Sequence, residues 1–470
     1  MMTTGRPPTS TADLRGRRVA VLGLARSGVA ASRMLAAAGA RVTAYDRRPA
    51  AELNEAVEAL GDRPVSLLLA AAEAEVRALL ADVDLVVTSP SISASFPTTE
   101  AWLRQALAAA QAGGVPVVSE VDLFLRLTRA RVMAVTGTKG KTTTTALLGA
   151  LLASGGVPHA VGGNIGIPMV ERVDELGPDA WAVLELSELQ LPTISRGADI
   201  AVYTNVGADH LDRHGSVEAY RAVKARLARL TVGRGTVVLN ADDPGCLELA
   251  RLLAGDLRWY GHDDRHLQAT TDDGLVYLGG EVLMPVADVP LPGRHMLGNV
   301  LAAALAARLA GLPAAAIASG IRGFAGLAHR LETVSEVNGV RFVNDSQATI
   351  PLAAIAALEA FDPAPVVLVA GGRGKGLDYA GFADAIAARC RAVVLIGETA
   401  DELERVVAGR VPVHRAATLD RAVQVAAAEA RPGDVVLLSP AAASFDMFDD
   451  YAARGDAFRA AASALAEVGR

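Results

Sequence analysis

Short apolar runs rich in β-branched residues recur along the chain, and each is followed by a glycine-containing loop and then an alanine-rich stretch with helical spacing. Apolar runs bounded by glycine or proline predict buried strands. When such strands alternate with helical stretches, they predict parallel sheets with crossover helices. The pattern starts afresh three times, so we expect the α/β fold class, with three α/β domains.

We place the domain boundaries where this pattern restarts. The predicted domains are residues 1–118, 119–327 and 328–470, in keeping with a usual domain size of about 100–200 residues. The predicted strands behind this division are 19–22, 42–45 and 85–87 in the first domain, 132–135, 182–184 and 200–203 in the second, and 366–369, 393–396 and 435–438 in the third.

Composition and charge narrow the class of protein. Hydrophobic residues make up 51% of the chain and charged residues 21%, which is typical of a globular enzyme. The net charge of -7 provides no basic field, so we expect no nucleic-acid partner. The two cysteines match no zinc or disulfide pattern, and there is no signal-like or membrane-spanning apolar stretch. We therefore expect a cytoplasmic monomer without a membrane partner.

The segment after the first predicted strand of the second domain carries the clearest chemistry. Gly137 and then Gly140-Lys141-Thr142 stand where a strand gives way to a helix. Glycines in such a loop let backbone N–H groups converge on phosphate, the lysine reaches terminal phosphates, and the threonine hydroxyl binds Mg²⁺. Val135 stands where the general pattern has glycine, so this is a shortened phosphate loop. The alternative is a glycine turn with solvated lysines.

Glu185 lies within the next apolar run, where an unpaired charge would cost several kcal/mol or more. Taken alone, this position indicates a pair with an arginine or lysine. The following predicted strand ends near Asp209 and His210, at the edge where ligands of open α/β sheets collect. Glu185 and His210 are therefore candidates to share a metal ion.

The first domain has a weaker nucleotide signal. Residues 23–28 read GLARSG after the first predicted strand, and Asp46-Arg47 follow the second. The spacing is similar to a dinucleotide-binding turn but lacks the middle glycine of G-x-G-x-x-G. Taken by itself, this pattern leaves a nicotinamide-dependent oxidoreductase open.

The order of these motifs resembles the Mur ligase family. TGTKGKTT, GGNIG, LELS and TNVGADHLDRHGSVEAYRAVKARL are similar to its central domain, and HRLETVSEVNGVRFVNDSQAT and LLSPAAASFDMFDDYAARGDAF to its carboxyl-terminal domain. The resemblance covers nearly the whole chain. It implies a Rossmann-like amino-terminal domain, a P-loop ATPase-like central domain and a Rossmann-like carboxyl-terminal domain.

The resemblance also implies the cofactors. ATP is expected with two Mg²⁺ ions, and Lys224 is expected to carry a carbamate derived from CO₂, which supplies the anionic oxygen that Mg²⁺ prefers. Without the resemblance, Lys224 would be interpreted as a solvated residue on a helix. The implied catalytic residues are Lys141, Glu185, His210 and Lys224. The implied Mg²⁺ ligands are Thr142, Glu185, His210 and Lys224. The implied ATP-binding residues are Gly137, Thr138, Lys139, Gly140, Lys141, Thr142, Thr143, Asn299, Arg330 and Asp345.

The implied reaction joins D-glutamate to UDP-N-acetylmuramoyl-L-alanine during peptidoglycan precursor synthesis. ATP first converts the terminal carboxylate to an acyl phosphate, which the amine of glutamate then attacks. The residues implied to bind the UDP-muramoyl substrate are Leu24, Ser27, Gly28, Asp46, Arg47, Ser89, Asn164, Ser187 and Gln190. Those implied to bind the amino acid are Thr349, Lys375, Ser444 and Tyr451.

Several positions depart from the family pattern. Gln347 and Ile350 replace the lysine and asparagine of N-D-S-K-A-T-N, Met296 stands where asparagine is frequent, and Ser91 replaces the glycine of Ser-Pro-Gly-Ile. The first three departures leave open a preference for L-glutamate, and Ser91 leaves the diphosphate contact open. Another ligase of the same family, with a different amino acid, is a separate alternative. An alternative of another class is a UDP-sugar-binding regulatory protein without ligase activity.

Overall fold

The computed structural model describes residues 6–207, 216–291 and 293–468. Within these ranges the strands form three sheets, and most neighbouring strands are parallel. This confirms the expected α/β fold class. The domain boundaries at residues 118 and 327 stay predictions. None of the described helices is long and apolar enough to cross a bilayer.

The first sheet has the strand order β3-β2-β1-β4-β5, and its pairs are parallel. The order reverses between β1 and β4, which is where ligands bind in sheets of this kind. The strands are β1 Arg18–Leu22, β2 Arg41–Asp46, β3 Val65–Leu69, β4 Leu85–Thr88 and β5 Val117–Ser119. The helices are α1 Arg26–Ala37, α2 Asn54–Leu60, α3 Glu73–Ala81, α4 Ala101–Ala112 and α5 Glu120–Leu127.

The second sheet has the order β14-β13-β12-β11-β10-β9-β6-β8-β7 and becomes antiparallel from β12 onward. The strands are β6 Arg131–Thr136, β7 His159–Gly163, β8 Trp181–Glu185, β9 Ile200–Tyr203, β10 Thr236–Asn240, β11 Leu257–His262, β12 Ala269–Asp272, β13 Leu275–Leu278 and β14 Glu281–Pro285. The helices are α6 Lys141–Ser154, α7 Val217–Thr231, α8 Pro244–Ala250, α9 Arg294–Leu309 and α10 Ala314–Arg322.

The first two sheets share one apolar core, which takes in Val21, Phe124 and Val132. Helix α5 lies in this core, and its first residue, Glu120, is only 3% exposed. The backbone N–H of Val170 donates to Glu120 Oε1 at 3.3 Å. Because of this shared core, the chain up to Val286 and Gly298–Ile321 form a single compact unit.

The third sheet belongs to a second compact unit, made of Ala287–Leu297 and the chain from Arg322 onward. Its order is β15-β16-β20-β17-β18-β19, so the last strand inserts between earlier ones. The strands are β15 Glu332–Val337, β16 Val340–Asn344, β17 Val366–Gly371, β18 Cys390–Ile396, β19 Val413–Arg415 and β20 Val435–Leu438. The helices are α11 Pro351–Glu359, α12 Ala380–Arg389, α13 Ala400–Val407, α14 Leu419–Glu429 and α15 Tyr451–Val468.

Gly28 is required where α1 crosses the end of β1. A Cβ atom at this position would lie 1.7 Å from the carbonyl oxygen of Gly23, so the helix would have to move. We expect Gly28→Ala to lower the free energy of unfolding by about 1–3 kcal/mol, the usual cost of overpacking. Gly177→Ala is the control, because a Cβ there meets open space. Urea denaturation checks this, and equal stability of the two variants would contradict it.

Candidate functional site

The phosphate loop lies at the carboxyl end of β6 and leads into α6. Gly140 precedes the helix with φ 84°, and Gly137 has φ 155°. A Cβ on Gly137 would lie 1.9 Å from Thr204 Oγ1, and one on Gly140 would lie 2.3 Å from Asn299 Oδ1. The structure therefore brings Asn299, which is 7% exposed, against the phosphate loop. The strand-loop-helix context that the sequence predicts is present.

Asn205 fixes the loop from the neighbouring strand. Its Oδ1 accepts hydrogen bonds from the backbone N–H groups of Thr138 at 3.1 Å and Lys139 at 2.9 Å. Its Nδ2 donates to the Lys139 carbonyl at 3.0 Å. Lys141 Nζ donates to the carbonyls of Gly137 and Thr138, both at 3.0 Å. Sequence reasoning gave no role to Asn205, which lies two residues beyond the end of β9.

Lys224 lies on α7 and is 1% exposed. Its Nζ donates to the Gly137 carbonyl at 2.9 Å and to Thr136 Oγ1 at 3.2 Å. The ammonium also lies 5.4 Å from the centre of the Tyr220 ring, whose hydroxyl is 3.2 Å from Thr138 Oγ1. Lys224 is thus a buried residue at the phosphate loop, and the solvated-face interpretation is wrong.

Glu185 ends β8, beside Val135 of β6, and is 1% exposed. Asn164 Nδ2 donates to its Oε1 at 2.8 Å. Within the described ranges its Oε2 is buried without a hydrogen-bond partner, and no arginine or lysine pairs with it. A buried carboxylate oxygen left without a donor suits a hard cation such as Mg²⁺. The residues present therefore fit the expected ion.

Thr142 and His210 are the remaining predicted metal ligands. Thr142 lies in the first turn of α6 and is partly exposed. Thr143 Oγ1 beside it is buried without a partner among the described residues. His210 lies outside the described residues. In the part of the chain that is described, no three His, Cys, Asp or Glu side chains form a metal cluster.

The predicted uridine site lies at the switch point of the first sheet. Asp46 Oδ2 accepts the backbone N–H of Leu24 at 2.8 Å, and Arg48 donates to both carboxylate oxygens, each at 3.0 Å. Burial raises the pKa of Asp46, but the bonds from Arg48 and from the Leu24 backbone outweigh burial and hold that pKa below its usual value. Asp46 therefore fixes the turn that follows β1.

A cavity of about 480 Å³ opens beside this carboxylate. Ser89, Arg47 and Arg48 line it, and Ser27 is partly exposed at the start of α1. The Leu24 side chain is 1% exposed, so only its backbone can meet a ligand. Sequence reasoning singled out Arg47, which pairs with Glu100 at 3.3 Å. It missed Arg48, the arginine that Asp46 holds.

Two loops of the first compact unit approach each other near this cavity. Arg26 donates to the carbonyl of Gly166, in the loop that carries Asn164.

Ser187 and Gln190 form a local turn, in which the Ser187 N–H and hydroxyl donate to Gln190 Oε1 at 3.0 and 3.2 Å. Both are buried, so their predicted contact with substrate stays a prediction.

In the second compact unit, Asp345 follows β16 and is 6% exposed. Ser439 Oγ donates to its Oδ2 at 2.8 Å and the Leu331 N–H to its Oδ1 at 3.2 Å. Burial raises the pKa of Asp345 to about 7. Arg330 Nε donates to Gln347 Oε1 at 3.0 Å. The two predicted ATP residues of this unit thus lie on adjoining loops.

Some of the residues predicted to bind the amino-acid substrate contact one another. Lys375 Nζ donates to Thr349 Oγ1 at 3.2 Å and to its carbonyl at 3.1 Å. Ser444 is 2% exposed, whereas Tyr451 is 40% exposed. The structure brings Lys375 and Thr349 together, and within the described ranges Ser444 bonds to neither of them.

Arg454 supports this region and was missed by sequence reasoning. It is 1% exposed, and its guanidinium donates to the carbonyls of Ala442 and Ala443 and to the hydroxyl and carbonyl of Ser346. Burial lowers its pKa to about 10, so it stays charged at neutral pH. The sequence does not set it apart, because the same helix also carries the charged residues Asp456 and Arg459.

Known proteins match this chain along most of its length. The family profiles described as "Mur ligase middle domain" and "Mur ligase, glutamate ligase domain" match residues 135–307 and 329–442. The UDP-N-acetylmuramoylalanine--D-glutamate ligase of Solibacter usitatus is 41% identical over 95% of this chain and 97% of that protein. The ligase of the same name from Anaeromyxobacter dehalogenans is 43% identical over 95% and 97%. The chain belongs to the Mur ligase family.

Solved structures support the Mur ligase fold. The UDP-N-acetylmuramate-alanine ligase MurC of Thermotoga maritima aligns with a TM-score of 0.58 at 19% identity, over 95% of this chain and 99% of that one. A pseudomurein peptide ligase type C from Methanothermus fervidus aligns with a TM-score of 0.53 at 17% identity, over 90% and 96%. The profile "Alanine dehydrogenase/PNT, C-terminal domain" matches residues 8–117, in line with the dinucleotide-like pattern of that segment.

Two buried carboxyls make stability depend on pH. Burial raises the pKa of Glu120 and of Asp345 to about 7, whereas unfolded carboxyls release their proton near pH 4. Between these values the folded Mur ligase binds more protons than the unfolded chain. The stabilisation that these two groups contribute is therefore present below about pH 4 and is lost as pH rises toward 7. Across pH 5–7 each group should lower the free energy of unfolding by on the order of 1 kcal/mol per pH unit.

Urea denaturation between pH 5 and 8 measures this slope. We expect Glu120→Gln and Asp345→Asn each to flatten it by one group, and Asp449→Asn, an exposed control, to leave it unchanged. A slope that neither buried substitution alters would contradict the assignment.

Proposed function

We propose that this Mur ligase joins D-glutamate to UDP-N-acetylmuramoyl-L-alanine with cleavage of ATP to ADP and phosphate. The observation that carries the proposal is the convergence of the phosphate loop, the buried Glu185 carboxylate and the buried Lys224 amine at the ends of β6 and β8. The relatives named for this reaction, at 38–43% identity, support the choice of substrates.

The uridine end of the substrate is assigned to the first sheet. Asp46 holds both the turn after β1 and Arg48, which gives the cavity beside Ser89 a fixed cationic edge. A guanidinium donates two parallel hydrogen bonds to a phosphate, so Arg48 suits a diphosphate. Arg26 links this turn to the loop of Asn164, the residue assigned to the muramoyl part.

The activating step takes place at the phosphate loop. A terminal carboxylate oxygen of the substrate bonds to the γ-phosphorus of ATP while the bond to the β-phosphate oxygen breaks, giving an acyl phosphate and ADP. Lys141 lies above the loop carbonyls, from which it can turn to the terminal phosphates. Mg²⁺ bound by Thr142, Glu185, His210 and Lys224 would offset the charge that accumulates as two anions approach.

The second step is acyl transfer. The neutral amine of glutamate forms a bond to the activated carbonyl carbon, the bond to the phosphate oxygen breaks, and the amine loses a proton. Lys375 with Thr349 provides a cation and a hydroxyl for the distal carboxylate of glutamate. Ser444 and Tyr451 complete the proposed amino-acid set, and Asn299, Arg330 and Asp345 complete the ATP set.

Lysine is rare in this chain, and its distribution supports a carbamate on Lys224. Of the 45 lysines and arginines, only Lys139, Lys141, Lys224 and Lys375 are lysines. Most cations of this chain are arginines, but a guanidinium cannot replace an amine that reacts with CO₂. In that reaction the amine nitrogen of Lys224 bonds to the carbon of CO₂ and releases a proton. One buried lysine at the site is therefore a specific choice.

The function is tested by incubating the protein with ATP, Mg²⁺, UDP-N-acetylmuramoyl-L-alanine and either enantiomer of glutamate. We expect phosphate release only when all components and D-glutamate are present, together with a product heavier by one glutamate residue. Phosphate release with L-glutamate but not with D-glutamate would overturn the stereochemical assignment. Binding of the UDP substrate without any phosphate release would favour the regulatory alternative.

The carbamate is tested with ¹³C-bicarbonate and Lys224→Ala. We expect a carbamate ¹³C signal in the wild-type protein that disappears in Lys224→Ala, and a loss of at least about a hundredfold in kcat, because an anionic ligand is removed. Added acetate or formate should restore part of the rate. Lys375→Arg, which leaves Lys224 in place, should keep the signal. Full activity of Lys224→Ala without added carboxylate would refute the carbamate.

A further inference from the structure

The turn that carries Arg330 is strained. His329 has φ 63° and Leu331 has φ 45°, values that side-chain-bearing residues adopt rarely. Such conformations persist only where the surroundings over-determine them, and they collect at functional sites. The backbone of Arg330 is thus held in a defined place between two residues of unfavourable conformation.

Four hydrogen bonds hold this turn. Glu332 Oε2 accepts the His329 N–H at 2.8 Å, and Asp345 Oδ1 accepts the Leu331 N–H at 3.2 Å. The Gln347 N–H donates to the His329 carbonyl at 3.0 Å, and the Arg330 N–H donates to Leu327. These bonds fix the backbone but leave the long side chain of Arg330 with its own rotational freedom.

The side chain of Gln347 removes that freedom. Its Oε1 accepts the Nε–H of Arg330 at 3.0 Å, and within the described residues no other acceptor bonds the guanidinium. A guanidinium has five N–H donors, so occupation of Nε leaves its terminal N–H groups available. The backbone N–H of Gln347 also donates to the His329 carbonyl, so Gln347 is itself tied to the strained turn.

We infer that Gln347 is a positioning residue that aims Arg330 at the phosphates or ribose of the nucleotide. The inference rests on the proposed function, in which Arg330 binds ATP. Gln347 acts through Arg330 and needs no contact with ATP itself. An amide oxygen suits this task, because it accepts a hydrogen bond without neutralising the cation that the nucleotide needs.

The test is a double-mutant cycle with Gln347→Met and Arg330→Ala. Removing the acceptor should raise KM for ATP about tenfold, as expected when a hydrogen bond to a charged group is lost. The kcat and the KM for D-glutamate should stay within about threefold, since neither involves Arg330. The double variant should be no worse than Arg330→Ala alone, because Gln347 acts through that arginine.

Gln424→Met is the matched control. Arg421 Nη1 donates to Gln424 Oε1 at 3.2 Å on the exposed side of α14, so this change removes a glutamine–arginine pair away from the predicted site residues. We expect it to leave KM for ATP unchanged. Thermal unfolding of every variant shows that the fold is intact, and Gln347→Ala replaces Gln347→Met should that variant fail to fold.

Direct binding of AMP-PNP with Mg²⁺, measured by calorimetry, separates this inference from the proposed function. If the wild-type protein forms no product but Gln347→Met weakens AMP-PNP binding only when Arg330 is present, the function fails and the inference stands. If product forms but Gln347→Met leaves KM for ATP unchanged, or adds its full effect to Arg330→Ala, the inference is overturned.

Discussion

The hydrogen bond from Lys224 to the carbonyl of Gly137 joins α7 to the phosphate loop and sets the geometry of the centre. Glycine is required at position 137 for two reasons. Its positive φ favours glycine, and a side chain there would collide with Thr204. The site also requires β6 to lie between β8 and β9, because that order places Glu185 on one side of the phosphate loop and Asn205 on the other. Loop, carboxylate and amine depend on one strand arrangement.

Much of the fold could be predicted because parallel strands are apolar over their whole length and leave a local signal. The phosphate loop is local too. Strand order is not local, so the contact between Asn164 and Glu185 and the role of Asn205 could not be read from spacing. Arg48 was missed because two arginines follow Asp46, and only the structure shows which one turns back to it. The strands β12 to β14 were missed because they are short and no helix separates them, so they lack the alternation of strand and helix that marks the other strands.

Buried polar groups hold the predicted site residues of the second compact unit. Asn344 ends β16, and Asp345 and Ser346 follow it. Asn344 and Ser346 bind α15 through Gly455 and Arg454, whereas Asp345 binds Ser439. Arg454 crosses from α15 to the loop after β20, so the last strand and the last helix are tied to this turn. Family resemblance supplied most of the predicted residues here, because a turn of polar residues has little local signature. Supporting residues such as Arg454 follow only from packing.

The lysine amines of this chain differ in their access to solvent. Lys224 is buried, whereas Lys139 and Lys375 are exposed. Electrophiles that acylate amines from solution reach the two exposed side chains, which lie at the proposed nucleotide and amino-acid ends of the reaction. Most proteins spread such reagents over their whole surface. Here the surface arginines do not react with these electrophiles. Ordinary lysine chemistry therefore becomes a way to place labels or covalent inhibitors at the proposed nucleotide and amino-acid sites.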